Sequence, residues 1–244
     1  MAAVVIALSA SSLIATGSAN AAQQRPAVSH DTTIPNLGLV RQQIQVYYGD
    51  KGDHVPAPDS AYAADVARVQ HELYSWLSRN TSVQRRALVL DVDDTVLSSY
   101  TYGATHEFGG YSSTGPFLDY VLGKRLTAVF GMTTLTKWAA DHGYAIFYIT
   151  GRPTEARDIT LQNLAEQGYN APTELFTKPG TANLPPYLPC AASCSTIQYK
   201  AGTRAHLKSL GYDIVANVGD QLSDLDGGHA RRSFKVPNPM YYLP

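Results

Sequence analysis

Acidic and hydroxyl side chains in three clusters have the types and spacing needed for chemistry on an ester. Each cluster directly follows a short apolar run: Asp91-Val92-Asp93-Asp94-Thr95, Thr150-Gly151-Arg152, and Gly219-Asp220 with Asp224. One carboxylate of such a set can attack as a nucleophile while a second exchanges a proton with the leaving group. Gathered carboxylates repel one another unless a cation lies among them. Oxygen ligands without nearby Cys or His favour a hard ion, Mg²⁺ before Zn²⁺.

The acidic run that begins at Asp91 also has a simpler interpretation, an acidic turn that caps the next helix. A match to the pattern Asp-x-Asp-x-Thr does not by itself decide between the two interpretations. The other two clusters favour the catalytic one, because they follow apolar runs that predict neighbouring strands.

Alternating apolar runs and amphipathic segments predict the elements that must position these clusters. The predicted strands are 87–90, 144–149, 174–176, 213–218 and an edge strand at 233–236, and the predicted helices are 135–143, 154–167 and 201–210. This alternation predicts an α/β fold with a doubly wound parallel sheet and helices on both faces. Ligands bind outside the carboxyl ends of such strands, so we expect all three clusters on one rim.

Two further segments surround this predicted sheet. Apolar residues at helical spacing within 35–86 predict two N-terminal helices, the second capped by Asp59 or Ser60. The surplus chain at about 99–130 is rich in aromatic residues and glycine. We interpret it as a small cap suited to stacking on an aromatic or nucleoside leaving group, with a surface excursion as the alternative. His106 is a candidate substrate contact there, although a lone His is more often solvated or packed in a core.

The N-terminal stretch predicts export. Residues 1–21 carry no charge and end in Ala19-Asn20-Ala21, which is typical of a secretory signal peptide, and 22–34 are expected to be a flexible lead-in. A membrane anchor is the alternative, but polar and small residues interrupt the stretch before it reaches a spanning length, so we expect no stable membrane insertion. We therefore expect a secreted protein, extracellular or periplasmic. The net charge of -1 gives no basis for a nucleic-acid partner.

The two cysteines of the chain are Cys190 and Cys194, four positions apart. They are too few for a metal site, and no His lies nearby in the sequence. In an exported protein a local disulfide that closes a short loop is favoured, with a modest entropic effect.

Four motifs, in order, resemble the signatures of the haloacid-dehalogenase-like (HAD) hydrolase superfamily. They are DVDDT, YITGR, YKAGTR and VGDQLSDLDG, and the ending FKVPNPMYYLP adds to the likeness. The chain is similar to class B acid phosphatases and to plant acid phosphatases related to vegetative storage proteins, over about residues 36–244. The resemblance implies a Rossmann-like HAD fold and a single phosphatase domain over 35–244.

The resemblance also implies roles for the matching residues. Asp91 would be the nucleophile that forms an aspartyl-phosphate, and Asp93 the general acid and then the base that activates water. The remaining assignments are Asp91, the Asp93 carbonyl and Asp220 as Mg²⁺ ligands, Asp224 as support for the metal's water shell, and Thr150, Gly151 and Arg152 as phosphate contacts.

A lysine at the third motif would neutralise the phosphate, and two lysines compete for this role. Lys200 matches the Lys-x-x-x-Arg pattern with Arg204 and is expected at a helix N-terminus, where the dipole favours an anion. Lys178 follows a candidate strand and has a simpler interpretation as a solvated loop charge. We favour Lys200.

Together these features predict a secreted, Mg²⁺-dependent acid phosphatase that hydrolyses small phosphate monoesters such as nucleotides or aryl phosphates. We expect an acidic optimum, because Asp93 near another carboxylate would keep its proton at acidic pH. The alternatives are a non-catalytic storage or binding protein on the same fold and a phosphotransferase to alcohol acceptors. No motif indicates an oligomeric state.

Overall fold

A parallel sheet of five strands forms the centre of the protein in the computed structural model, which describes residues 34–81, 84–181, 184–190 and 193–243. Its strands are β1 (Arg86–Leu90), β4 (Ala145–Pro153), β5 (Glu174–Lys178), β6 (Asp213–Gly219) and β7 (Ser233–Lys235), and a separate antiparallel pair joins β2 (Leu97–Ser98) to β3 (Thr127–Ala128). The spatial order is β5-β4-β1-β6-β7. The chain therefore builds outward from β1 to one side and then to the other, which places a topological switch point at β1.

Alternate residues of β1 face opposite sides of the sheet. Leu88 and Leu90 belong to one hydrophobic cluster, whereas Ala87 and Val89 belong to a second one. All four are buried, as expected for a parallel strand covered on both faces.

Helices cover both faces of the sheet, which confirms the predicted doubly wound fold. They are α1 (Leu37–Tyr48), α2 (Ala61–Ser78), α3 (Tyr100–Thr105), α4 (Pro116–Leu122), α5 (Met132–Asp141), α6 (Arg157–Glu166), α7 (Thr196–Ser209) and α8 (Leu222–Leu225). Buried residues of α1, α2, α5 and α6 pack in the cluster that contains Leu88, and buried residues of α7 pack in the cluster that contains Val89. Residues Asn36–Pro244 form one compact unit.

The two N-terminal helices form where the sequence predicts them. Ser60, one of the two candidate caps, accepts a hydrogen bond from the backbone N–H of Ala63 at the start of α2. Tyr48 of α1 stacks between Tyr62 of α2 and Tyr100 of α3, with ring centroids 4.1 and 4.3 Å apart. This stack joins the N-terminal helices to the chain that follows the acidic run.

Several element boundaries differ from the predictions, and two of them bear on the polar clusters. Strand β4 continues through Thr150-Gly151-Arg152 to Pro153, so this cluster lies within the end of a strand. Helix α7 begins at Thr196, four residues before Lys200. The Ser195 side chain and Gln198 form a capping box at that end, and this local pair determines where the helix starts.

The signal peptide predicted for 1–21 and nearly all of the lead-in predicted for 22–34 lie outside the described residues. Within the part of the chain that is described, no helix combines the length and the apolarity needed to cross a membrane.

Candidate active site

Asp91 stands directly after β1, at the centre of the sheet, and its backbone N–H still donates to the carbonyl of Val218 on β6. The residue is only 7% exposed. Burial is the largest influence on its carboxyl group and raises the pKa of Asp91 well above its usual range, while Lys200 offsets part of this effect. The strand therefore holds a carboxylate in a position where ionisation requires nearby positive charge.

Lys200 supplies positive charge from α7. Its Nζ donates to Oδ1 of Asp91 and to Oδ1 of Asp224, both at 2.5 Å. Burial lowers the pKa of Lys200, but the charges of Asp224 and Asp91 outweigh burial and hold this pKa above its usual range. Of the two competing lysines, the structure brings Lys200 to Asp91. The prediction that it lies at a helix start is wrong, because the capping box begins α7 one turn earlier.

Two further carboxylates come from the end of β6 and from α8. Asp220 accepts hydrogen bonds from Thr95 Oγ1, Gln221 Nε2 and Asn238 Nδ2. Burial, followed by the charge of Asp224, raises the pKa of Asp220 to about 7. A Cβ atom on Gly219 would lie 2.3 Å from the Cβ of Asp224, so the glycine between β6 and α8 permits this close approach.

The donor set formed by these acids fits a divalent cation. One carboxylate oxygen each from Asp91, Asp220 and Asp224 lies within 4.8 Å of the others, and all three residues are buried. Three carboxylates face the single charge of Lys200, so the cluster has an excess of negative charge that burial makes costly. Oxygen-only ligands are those that hard divalent ions prefer.

Asp93 lies in a different hydrogen-bonding environment from Asp91. The guanidinium of Arg152 donates through Nε and Nη2 to the Asp93 carboxylate, the shortest contact being 2.7 Å. Arg152 is 4% exposed, and its Nη1 donates to Thr160 Oγ1 on α6. Arg152 was expected to contact phosphate, but its donors are engaged with Asp93 and Thr160. Asp93 still lies near enough to Asp91 and Asp94 to raise the pKa of both.

Asp94 is a buried acid that the sequence interpretation left without a role. Its backbone is left-handed, with φ of 53°, and its carboxylate accepts from Ser99 N–H and from the hydroxyls of Ser99 and Tyr241. Burial raises the pKa of Asp94 to about 7. Tyr241 lies in the C-terminal segment, which also supplies Asn238 to Asp220. Because Tyr241 is far from Asp94 in the sequence, the residues around Asp94 could not indicate their hydrogen bond.

A pocket of about 200 Å³ opens over Asp91, Asp93 and Lys200. The 99–130 segment lines it with Tyr111, Ser112, Ser113, Phe117, Leu118 and Val121. Gly151, Arg152, Asp220 and Asp224 also line the pocket, whereas Thr150 is fully buried and accepts from the backbone N–H of Arg152. The three polar clusters therefore meet at one rim, as the predicted sheet requires.

Two other predicted residues lie away from this rim. His106 stacks on the ring of Tyr102, 4.1 Å between centroids, and is not among the residues that line the pocket, so the structure gives its candidate role as a substrate contact no support. The Sγ atoms of Cys190 and Cys194 are bonded at 1.99 Å, in the segment that precedes α7.

Comparisons with known proteins identify the family of this chain. A family profile described as HAD superfamily, subfamily IIIB (Acid phosphatase), matches residues 20–244. The chain is 30% identical over 190 residues to the stem 28 kDa glycoprotein of Glycine max, covering 75% of this chain and 70% of that protein. It is 30% identical over 161 residues to acid phosphatase 1 of Solanum lycopersicum, covering 65% of this chain and 60% of that protein.

Among solved structures, the class C acid phosphatase from Bacillus anthracis has a similar fold, with a TM-score of 0.61 at 22% identity, over 84% of this chain and 86% of that one. That likeness is one of fold, whereas the family match extends over most of the sequence and over the residues that meet at the pocket. The chain belongs to subfamily IIIB of the HAD superfamily, the acid phosphatases, and as a member of that family it is a phosphomonoesterase.

Proposed function

We propose that this protein is a secreted, Mg²⁺-dependent acid phosphatase that hydrolyses small phosphate monoesters through an aspartyl-phosphate on Asp91. One observation carries the proposal: the buried Asp91 carboxylate faces the pocket in contact with Lys200, with oxygens of Asp220 and Asp224 nearby. A phosphate ester in this pocket would have its phosphorus within reach of a strand-end carboxylate.

In the first step Asp91 attacks phosphorus, a bond forms between its carboxylate oxygen and phosphorus, and the bond to the leaving oxygen breaks. Asp93 donates a proton to that oxygen, so an alcohol leaves. In the second step Asp93 takes a proton from water, whose oxygen attacks phosphorus and releases phosphate and free Asp91. Phosphoryl transfer depends mainly on positioning and charge neutralisation, and the Lys200 ammonium offsets charge on Asp91 and on the phosphate oxygens.

The other residues of the site position these groups. Asp91, Asp220 and the Asp93 carbonyl would hold Mg²⁺, with Asp224 supporting its water shell. The ion, when bound, supplies neutralisation of anionic oxygens. We assign the Thr150 hydroxyl and the Gly151 N–H to phosphate oxygens. The structure changes the assignment of Arg152: we propose that it orients Asp93.

We also propose that 35–244 is one phosphatase domain, that 99–130 is its cap, and that 1–21 direct export. The pocket lining by Tyr111 and Phe117 supports the cap interpretation over a surface excursion. The disulfide between Cys190 and Cys194 supports an oxidising compartment. Sequencing the N-terminus of protein recovered outside the producing cell would test the signal: a mature chain that still begins at Met1 contradicts it.

The proposed activity is tested with p-nitrophenyl phosphate. Wild type should hydrolyse it with Mg²⁺, lose activity in EDTA and regain it when Mg²⁺ is restored. Asp91→Asn should lower kcat by about three orders of magnitude or more, because an amide cannot replace the nucleophile. The matched control is Asp213→Asn. Asp213 is a partly exposed partner of Arg231, and it begins β6 at the end of the strand opposite Asp220, so this variant should keep wild-type activity.

Wild type that is inactive with Mg²⁺ supplied would contradict the proposal and favour a storage or binding protein. Glycerol added to the assay separates the remaining alternative. A phosphotransferase would form glycerol phosphate at the expense of inorganic phosphate.

A further inference from the structure

Among the residues that the structure describes, three cationic side chains line the pocket, and two of them are already paired with carboxylates. Arg152 is bound to Asp93, and Lys200 is shared between Asp91 and Asp224. The third cation is Lys178, which is partly buried. Among the described residues it has no carboxylate within ion-pair distance and no side-chain hydrogen bond. Lys178 is therefore a positive charge available to a molecule in the pocket.

The position of Lys178 places this charge beside the phosphate-binding side of the site. It is the last residue of β5, and its backbone is in register with Pro153, the residue after Arg152. Thr196, the first residue of the 14-residue helix α7, lines the same pocket. The first N–H groups of a helix carry partial positive charge, which adds to that of Lys178 on this side.

The other described residues of the pocket give an anion no comparable cationic partner. The 99–130 segment presents mostly apolar side chains, Tyr111, Phe117, Leu118 and Val121, and Leu243 adds to them. The transferred phosphate already meets Lys200 and the proposed metal. A charge on Lys178 thus has no function toward a neutral leaving group, but it would stabilise a leaving group that is itself anionic.

We infer that Lys178 is a specificity-determining residue that selects phosphate monoesters whose leaving group carries a second anionic group, a carboxylate or a phosphate. This inference rests on the proposed function, because it names the substrate class of the same site. A cavity of about 200 Å³ requires that both anionic groups belong to one small molecule.

The test compares phenyl phosphate with three anionic substrates that share its phenyl ring: 3-carboxyphenyl phosphate, 4-carboxyphenyl phosphate and 1,4-phenylene bisphosphate. For each enzyme the measured quantity is kcat/KM on an anionic substrate divided by kcat/KM on phenyl phosphate, which cancels general effects on the chemical step. We expect this ratio to fall roughly tenfold in Lys178→Gln, the size expected for one contact between charged groups. Lys178→Arg should retain most of it.

Lys137→Gln is the matched control, because it removes the same charge from an exposed position on α5 outside the pocket. Its ratios should equal those of wild type. If the kcat/KM ratio for carboxyphenyl phosphate falls in Lys178→Gln, the preferred second anion is a carboxylate. If the ratio for the bisphosphate falls, it is a phosphate. Equal ratios in wild type and Lys178→Gln for all substrates would overturn the inference.

A binding measurement keeps this result separate from the proposed function. Phenylphosphonate and carboxyphenylphosphonate cannot be hydrolysed, and their Kd values are measured by calorimetry with wild type and Lys178→Gln. The carboxylate should tighten binding to wild type and not to Lys178→Gln. If wild type turns over none of the esters but shows this difference, the proposed function fails and the anion site stands. Equal Kd ratios contradict the anion site whether or not the esters are hydrolysed.

Discussion

Arg152 and Asp93 form the pair on which the proposed acid–base step depends. Arg152 presents two donors to one carboxylate in a fork that a lysine cannot reproduce. Its third nitrogen is fixed by Thr160. The direction of the Asp93 carboxylate is therefore set by a side chain that is itself held by α6.

Replacing Arg152 by lysine tests this positioning. Arg152→Lys keeps the charge but loses the fork, so we expect kcat to fall about tenfold, with KM changed much less, since a loss of about 1.4 kcal/mol of transition-state stabilisation gives that factor. The control is Arg157→Lys, which alters an exposed pair with Glu174 and should leave kcat unchanged. A rise in KM without a fall in kcat would instead indicate that Arg152 binds the substrate phosphate.

The sequence predicted individual site residues where local spacing defines the role. Asp91, Asp220, Asp224 and Lys200 meet at the pocket rim, and each could be chosen from a motif that follows a strand or lies in a helix. The partner of Arg152 could not be predicted, because the contact spans 59 positions and depends on how β4 lies beside β1. The same holds for Asp94 and Tyr241, which are 147 positions apart.

At the scale of elements, helix α7 links its own N-terminal cap to the position of Lys200 in the site. Ser195 caps the helix, and Lys200 lies in its second turn with Nζ between two carboxylates. Loosening of the first turn would therefore move both Thr196 at the pocket and Lys200 behind it. The other described helices with a serine at the N-cap are α2 and α3, and neither carries a residue that is hydrogen-bonded to Asp91, Asp220 or Asp224.

Ser195→Ala should therefore affect stability and activity together. Loss of an N-cap hydrogen bond costs about 1 kcal/mol of unfolding free energy, and we expect kcat/KM to fall several-fold as well. Ser60→Ala removes the corresponding cap of α2, which carries no residue of the pocket, and should cost a similar free energy without a change in kcat/KM. Urea unfolding and steady-state kinetics on both variants make the comparison. Equal kinetics in the two variants would show that the α7 cap does not control the site.

Elements were predicted well where a buried face leaves a clear pattern. The apolar runs at 87–90 and 213–218 lie in β1 and β6, because central parallel strands are buried on both sides. The start of α7 was placed too late, although Ser195 and Gln198 have the spacing of a capping box. Helices α3 and α4 are 6 and 7 residues long and are held by packing of aromatic side chains, which no periodicity in so short a segment can indicate.

Across the whole molecule, the buried carboxylates of Asp91, Asp220 and Asp224 make the stability of the metal-free protein depend on pH. The folded state raises the pKa of Asp220 to about 7 from an ordinary value of 3.8. Between these values the folded protein without metal binds a proton that the unfolded chain has released. Its contribution to stability is therefore complete below about pH 4 and is lost as pH rises through about 7.

We expect metal-free wild type to unfold more easily at pH 8 than at pH 5, and Mg²⁺ to raise Tm at pH 8 because it binds only the folded state. Asp220→Asn should weaken both dependences and make the metal-free protein more stable than wild type at pH 8. Asp213→Asn, which lies outside the cluster, should retain both. Differential scanning calorimetry with EDTA or Mg²⁺ measures these differences. The same pH dependence in Asp220→Asn as in wild type would assign it to other groups.

The central place of β1 in the sheet has a consequence for newly made protein. Asp91 emerges well before β4 and β6, yet its strand takes hydrogen-bonded neighbours from both, and β6 arrives together with Asp220. A growing polypeptide thus carries its proposed nucleophile long before it has the groups that hold and neutralise it. Catalysis would begin only once β6 has docked, so turnover itself reports that β6 and Asp220 have taken their places beside β1.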